Sequence, residues 1–149
     1  MTVTFSDFIY VIPNALEPDF CKRVIEKFEG DDRSIPGEVG TRETQRIDRD
    51  IKDSLDLLIS DLDDWKEEDK VFFNSLNSHI LPFLETGSWI PEGIDPPIFD
   101  NPHDCGYQIQ KTSPGGGYIW HHDGQQGSYV RENGIRWATY IWYLNDVKE

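Results

Sequence analysis

Positive charge is scarce in this sequence: 14 lysines and arginines stand against 28 aspartates and glutamates, a formal net charge of −14. Affinity for nucleic acid comes largely from neutralising phosphates, so a field of this sign argues against a nucleic-acid partner. Anionic membrane surfaces are disfavoured for the same reason. Long hydrophobic runs are also missing. No stretch approaches the ~20 apolar residues of a membrane span, and the start, MTVTFSDFIYVIPNA, has neither the basic region nor the apolar core of a signal peptide. Cysteine is nearly absent. Cys21 and Cys105 lie far apart, fit no zinc spacing and make no disulfide framework, so reduced thiols in a cytoplasmic protein are expected. No repeat or low-complexity tract is present.

What is there is aromatic. Hydrophobic residues make up only 37 %, but five Trp, six Tyr and eight Phe compensate, since each buried ring removes on the order of 150–250 Å² from water. A chain of 149 residues is long enough to bury a core, and the expectation is one domain over 1–149.

The β-branched and aromatic run 3–12 reads as an opening strand. Pro18 suits the first turn of a helix and Gly30 its end, with Cys21, Val24, Ile25 and Phe28 at the spacing of one buried face. The charged stretch 31–50 holds Pro36, Gly37 and Gly40 and reads as a mobile, solvated loop running into an extended segment at 51–59. A second helix is expected from about Trp65 to Leu84. Phe72, Phe73, Leu76, Ile80, Phe83 and Leu84 form its apolar stripe, and Pro82 kinks or shortens its last turn. His79, beside that stripe, reads as a helix-surface histidine. Residues 86–106, rich in Pro, Gly and Asp, are a connector. From Tyr107 the pattern changes to strands: YQIQKT, YIWHHD and IRWATYIWYLN. Helices first and an antiparallel sheet last predict an α+β domain whose chemistry sits on the sheet.

The chemistry concentrates in Tyr118-Ile119-Trp120-His121-His122-Asp123. Side chains alternate along a strand, so His121 and Asp123 are expected on one face and His122 on the other. An imidazole and a carboxylate so placed supply two legs of a 2-His-1-carboxylate triad, the arrangement that binds non-haem iron(II) and leaves positions open. Thr139, Ile141 and Tyr143 likewise alternate onto one face, as a pocket wall requires, although core packing serves Ile141 equally and is the simpler reading for Tyr118. Arg136 reads more simply as a surface arginine at a strand start. His103, in a Pro-rich connector with Asp104 adjacent, reads as solvated.

The order G-x-x-Y-x-x-H-x-D from Gly115, followed by R-x-A-T-x-I-x-Y-L-x-D-V from Arg136, resembles the iron(II)- and 2-oxoglutarate-dependent dioxygenases of the prolyl 4-hydroxylase type. The L-x-P-x-x-C stretch from Leu16 is similar to that family's first helix. The resemblance implies N-terminal helices packed on an antiparallel double-stranded β-helix, the jelly-roll core, left incomplete here. It implies His121 and Asp123 as iron ligands and catalytic residues, and Tyr143, Ile141, Thr139 and Tyr118 as cosubstrate-pocket residues, Tyr143 through its hydroxyl. The cofactors it implies are Fe(II), 2-oxoglutarate and ascorbate, and the reaction is hydroxylation of a peptide side chain or small metabolite with O₂. Lys111-Thr112 departs from the family, several of whose members carry a tyrosine on this strand, so that tyrosine contact is not carried over.

The family's second histidine, and the Arg or Lys that pairs the distal 2-oxoglutarate carboxylate, follow the Y-L-N strand; this sequence runs only to Glu149. The expectation is therefore the N-terminal portion of a dioxygenase domain. Alone it should self-associate or need a completing segment, and show no succinate-forming turnover. The alternative is a degenerate or truncated, non-catalytic relative acting as a binding module. A zinc or manganese cupin-like site ranks last, because it needs more histidines than this order supplies.

Overall fold

The computed structural model describes residues 4–6, 9–40, 44–86, 104–121, 123 and 138–146. In chain order these form β1 (Thr4–Ser6), β2 (Ile9–Val11), α1 (Pro18–Glu29), β3 (Ile35–Pro36), β4 (Glu38–Val39), β5 (Arg46–Ile47), β6 (Leu55–Leu58), a 3-10 turn (Asp63–Trp65), α2 (Lys66–Thr86) and β7 (Gln108–Lys111). The chain divides into two compact units: Met1–Gly30 with Leu58–Ile109, and Asp31–Leu57 with Gln110–Glu149. The class is α+β, as expected, although the helices do not come first: β1 and β2 precede α1, and β3 to β6 precede α2. Its sheets are small, ordered β1-β2, β3-β6-β7 and β4-β5, and no closed barrel is formed among the described residues. None of their helices is long and apolar enough to cross a membrane.

In the first unit the expected opening strand is a hairpin, β1 against β2, with Thr4 opposite Val11 and Ser6 opposite Ile9. Helix α1 begins at Pro18, whose missing N–H costs nothing in a first turn. Glu17 precedes it in an extended conformation without a side-chain cap, and the Gly30 N–H closes it on the carbonyls of Glu26, Lys27 and Phe28. Its buried face is Phe20, Val24 and Phe28, a correction to the stripe through Cys21 and Ile25, which are only half-buried. The rotation has a partner: Phe20 meets Phe72 of α2 edge-on at 5.5 Å, and Phe72 meets Tyr107 at 5.9 Å. Trp65, Ile59 and Val24 are fully buried. Lys27 spans Trp65, its ammonium 4.4 Å from the ring and 2.7 Å from Glu68. Phe73, expected in the apolar stripe of α2, is instead 46 % exposed. Pro82 does not end the helix, which continues to Thr86.

Tyr107 links α2 to the strand that follows. Its N–H donates to Ser60 Oγ at 2.7 Å and its phenol to Asp104 at 2.8 Å. Burial, and then the Asp104 carboxylate, push the phenol well above its ordinary value of 10.0. The native state therefore holds this proton more tightly than the unfolded chain does. Its contribution to stability is complete below pH 10 and declines as pH rises further. Tyr107→Phe should remove that part of the alkaline loss and cost ~0.5–1.5 kcal/mol at neutral pH, read from urea midpoints of both proteins across pH 7–11. Equal alkaline slopes would mean the phenol is not held protonated by the fold.

The second unit overturns the solvated-loop expectation for 31–50. Short strands form there: β3 pairs antiparallel with β6 (Ile35 opposite Asp56), and β4 with β5 (Glu38 opposite Ile47). Val39 and Leu57 are buried together with a polar cluster, Lys52, Ser54 and Asp56. Lys52 Nζ lies 2.5 Å from Asp56 Oδ2, and Ser54 Oγ donates to Asp56 Oδ1 at 2.8 Å. β7 falls on the expected YQIQKT strand. The other two expected strands do not form in what is described: Tyr118 makes an isolated bridge, and 138–146 pairs with nothing as a strand.

Candidate metal centre

The site is built from the turn at Ser113 onward. Gly116 N–H donates to the Ser113 carbonyl at 2.9 Å, and Gly115 takes φ +83°, a conformation that glycine adopts without strain. A Cβ on Gly116 would lie 2.7 Å from the Asp53 carbonyl oxygen. That close approach lets two strips of backbone zip together. Asp53 N–H donates to Gly117 O at 2.8 Å, Ile119 N–H donates to Ile51 O at 3.0 Å, and Lys52 bridges Tyr118 between them. Gly116→Ala should force the strips apart at a cost of ~1–3 kcal/mol, the range for overpacking. The expected signature is faster amide exchange at Asp53 and Ile119; unchanged protection there would show that the turn yields freely.

Beyond Ile119 the pairing ends, so no pleat orients His121 and Asp123. They converge all the same: His121 Nε2 is 3.4 Å from Asp123 Oδ1. Two hydrogen bonds bring this about. His121 Nδ1 lies 2.8 Å from the Ile119 carbonyl. That oxygen can only accept, so Nδ1 carries the proton and the lone pair of a neutral ring is on Nε2. Thr139 Oγ1 donates to Asp123 Oδ2 at 2.7 Å, which leaves Oδ1 facing the imidazole. Tyr118 stacks on the His121 ring at 3.6 Å between centroids and 18° between planes. Tyr118 is 40 % exposed, so it is not the core aromatic that was the simpler reading.

Residues 138–144 make no sheet contact, yet their burial alternates: Ala138, Tyr140, Trp142 and Leu144 are half-buried, while Thr139, Ile141 and Tyr143 are exposed. The three expected pocket residues thus share one side of the segment. Thr139 reaches Asp123, whereas Ile141 and Tyr143 are 67 % and 77 % exposed. Burial raises the Tyr140 phenol. His79 bonds within its own helix, Nδ1 2.6 Å from Ser75 O, in keeping with a helix-surface histidine. His103, His122 and Arg136 lie outside the described residues.

Two donors each ~2.0–2.2 Å from a cation, at right angles, sit roughly 3 Å apart. Nε2 and Oδ1 therefore fit two adjacent positions of a metal, with their companion atoms already occupied. A third ligand is not in place: no group of three His, Cys, Asp or Glu gathers among the described residues. A cleft of about 490 Å³ in the first unit, lined by Ser60, Asp69, Phe73, Asp104 and Tyr107 among others, includes neither His121 nor Asp123. Its Asp69 and Asp104 already accept the hydroxyls of Ser60 and Tyr107. The backbone of Ile51–Asp53 is the part of the site that sequence reasoning missed. The signal that could have found it is the run Gly115–Gly117, since consecutive glycines permit close backbone approach. Comparison with known proteins finds no match to this chain among family models, curated proteins or solved structures.

Proposed function

We propose that this chain supplies His121 and Asp123 as two ligands of an iron(II) centre in a 2-oxoglutarate-dependent dioxygenase with a jelly-roll core. The observation that carries the reading is the convergence of Nε2 and Oδ1, 3.4 Å apart, with Nδ1 and Oδ2 tied back by Ile119 and Thr139. Iron(II) bound there would couple oxidative decarboxylation of 2-oxoglutarate to insertion of oxygen into a C–H bond of a peptide side chain or small metabolite. The chain's own residues prepare that chemistry. The Ile119 carbonyl accepts from Nδ1 and so leaves the lone pair of the neutral ring on Nε2, Thr139 orients the carboxylate, and Tyr118 covers one face of the imidazole. In this reading Tyr143, exposed on the same side of its segment as Thr139, would donate its hydroxyl to a 2-oxoglutarate carboxylate oxygen, and Ile141 would lie beside the cosubstrate. Cys21 and Cys105 are free thiols, which suits a reducing compartment.

A second reading is favoured by the two-member donor set found among the described residues: a protonated His121 paired with Asp123 in a relative without catalytic activity. Anaerobic addition of iron(II) and then 2-oxoglutarate separates the two. A visible charge-transfer band that forms with both and is lost in His121→Ala supports the metal centre; its absence from the wild-type chain favours the ion pair. Where the band forms, Tyr143→Phe should raise the 2-oxoglutarate concentration it requires by the worth of one neutral hydrogen bond, ~0.5–1.5 kcal/mol. An unchanged requirement would leave Tyr143 outside the cosubstrate site.

A further inference from the structure

We propose that Lys52 is a positioning residue for the His121 imidazole, acting through the ring of Tyr118. The proposal rests on the reading of His121 as a metal ligand and extends its support to a charge far away in sequence. Lys52 is only 7 % exposed. Its ammonium is fixed by Asp56 Oδ2 at 2.5 Å, and Asp56 is fixed in turn by Ser54 at 2.8 Å. Gly37 backs the cluster closely: a Cβ there would lie 2.3 Å from Ser54 Oγ and 2.9 Å from Lys52 Cε. The ammonium therefore has little freedom to move.

From this fixed point Nζ stands 5.5 Å from the Tyr118 ring centroid, within the ~6 Å at which a cation is held by an aromatic face, and desolvation strengthens the attraction. Lys52 and Tyr118 are also backbone partners in the bridge. Tyr118 is 40 % exposed; among the described residues, the bridge and the cation are the contacts that tie its ring to the buried cluster. The ring then stacks on His121 at 3.6 Å. A buried ion pair adds little net stability over an apolar pair of similar volume, so folding alone does not call for a lysine here. The stack sets the plane of the imidazole and the Ile119 carbonyl sets its tautomer, and together they aim Nε2.

The test begins without metal. Long-range ¹H–¹⁵N spectra of the labelled full chain, with His121 assigned by its loss in His121→Asn, should show an Nδ1–H tautomer and ring protons shifted upfield by Tyr118. Two double variants remove the charge without stranding its partner: Lys52→Met with Asp56→Leu, and the near-isosteric Lys52→Gln with Asp56→Asn. Both should lose the upfield shift, as should Tyr118→Leu, while Lys52→Arg should retain it. A folded double variant with His121 signals unchanged overturns the proposal and reduces Lys52 to packing. The metal reading is tested separately by cobalt(II) titration of the wild type. If cobalt binds, the double variants should bind it ~10–100-fold more weakly, the effect typical of outer-shell substitutions. Failure of the wild type to bind would overturn the metal reading, while the metal-free spectra would still decide whether Lys52 orients the ring.

Discussion

Asp123→Ala is expected to abolish measurable cobalt(II) or iron(II) binding by this chain while leaving its unfolding midpoint almost unchanged. The substitution removes one of two converging donors together with its negative charge. The loss should therefore exceed the ~10–100-fold of an outer-shell change. Stability should be spared because Asp123 is only partly buried. The Thr139 hydroxyl that it frees is exposed and can turn to water, and surface changes of this kind usually stay within ~0.5 kcal/mol. Thr139→Ala is the graded comparison: the carboxylate remains but is no longer held at Oδ2, so affinity should fall about tenfold. Isothermal titration and thermal unfolding of the three proteins check this directly. Full metal affinity in Asp123→Ala would place the centre on other residues.

Trp65→Ala should have the largest effect on folding. The indole is fully buried at the junction of the 3-10 turn and α2, and Lys27 of α1 lies over its face. Truncating a buried Trp costs ~3–5 kcal/mol, a large share of the ~5–15 kcal/mol by which domains are stable. The variant also strands the Lys27 stem over a cavity, although its bond to Glu68 remains. Urea unfolding should show a much lower midpoint, with protection lost first from amides of α1 and the start of α2. A drop below ~1 kcal/mol would mean that Trp65 is not a core residue. Phe73→Ala, one residue from the buried Phe72 but largely exposed, is the control and should cost far less.

Sequence alone was enough for the class of fold, the bounds of α1, most of α2 and the strand at Gln108. These depend on local chemistry: a proline fixes a first turn, a glycine closes a last one, and hydrophobic periodicity over several turns identifies a helix. It also nominates His121 and Asp123 as donors for the proposed centre, because metal ligation needs particular donor atoms whatever the fold. The choice of Phe20 over Cys21 on the buried face of α1 came from packing. Neighbouring positions differ by one step around the helix, and only the ring of Phe72 distinguishes them. The strands within 31–50 are two residues long, too short for any period; they exist because partners such as Leu55 and Asp56 come to them.

Tertiary structure alone decided how the site is held. The alternation that predicted His121 and Asp123 on one face presumed a strand that does not form among the described residues. Their convergence depends on the Ile119 carbonyl, on Thr139 sixteen residues beyond Asp123, and on a strip of backbone at Ile51–Asp53. Backbone hydrogen bonds of this kind are available to any residue except proline as donor and so leave no mark on side-chain pattern. Residue types announced which atoms could bind a metal. Which of those atoms are left facing each other was settled by contacts between segments far apart in the chain.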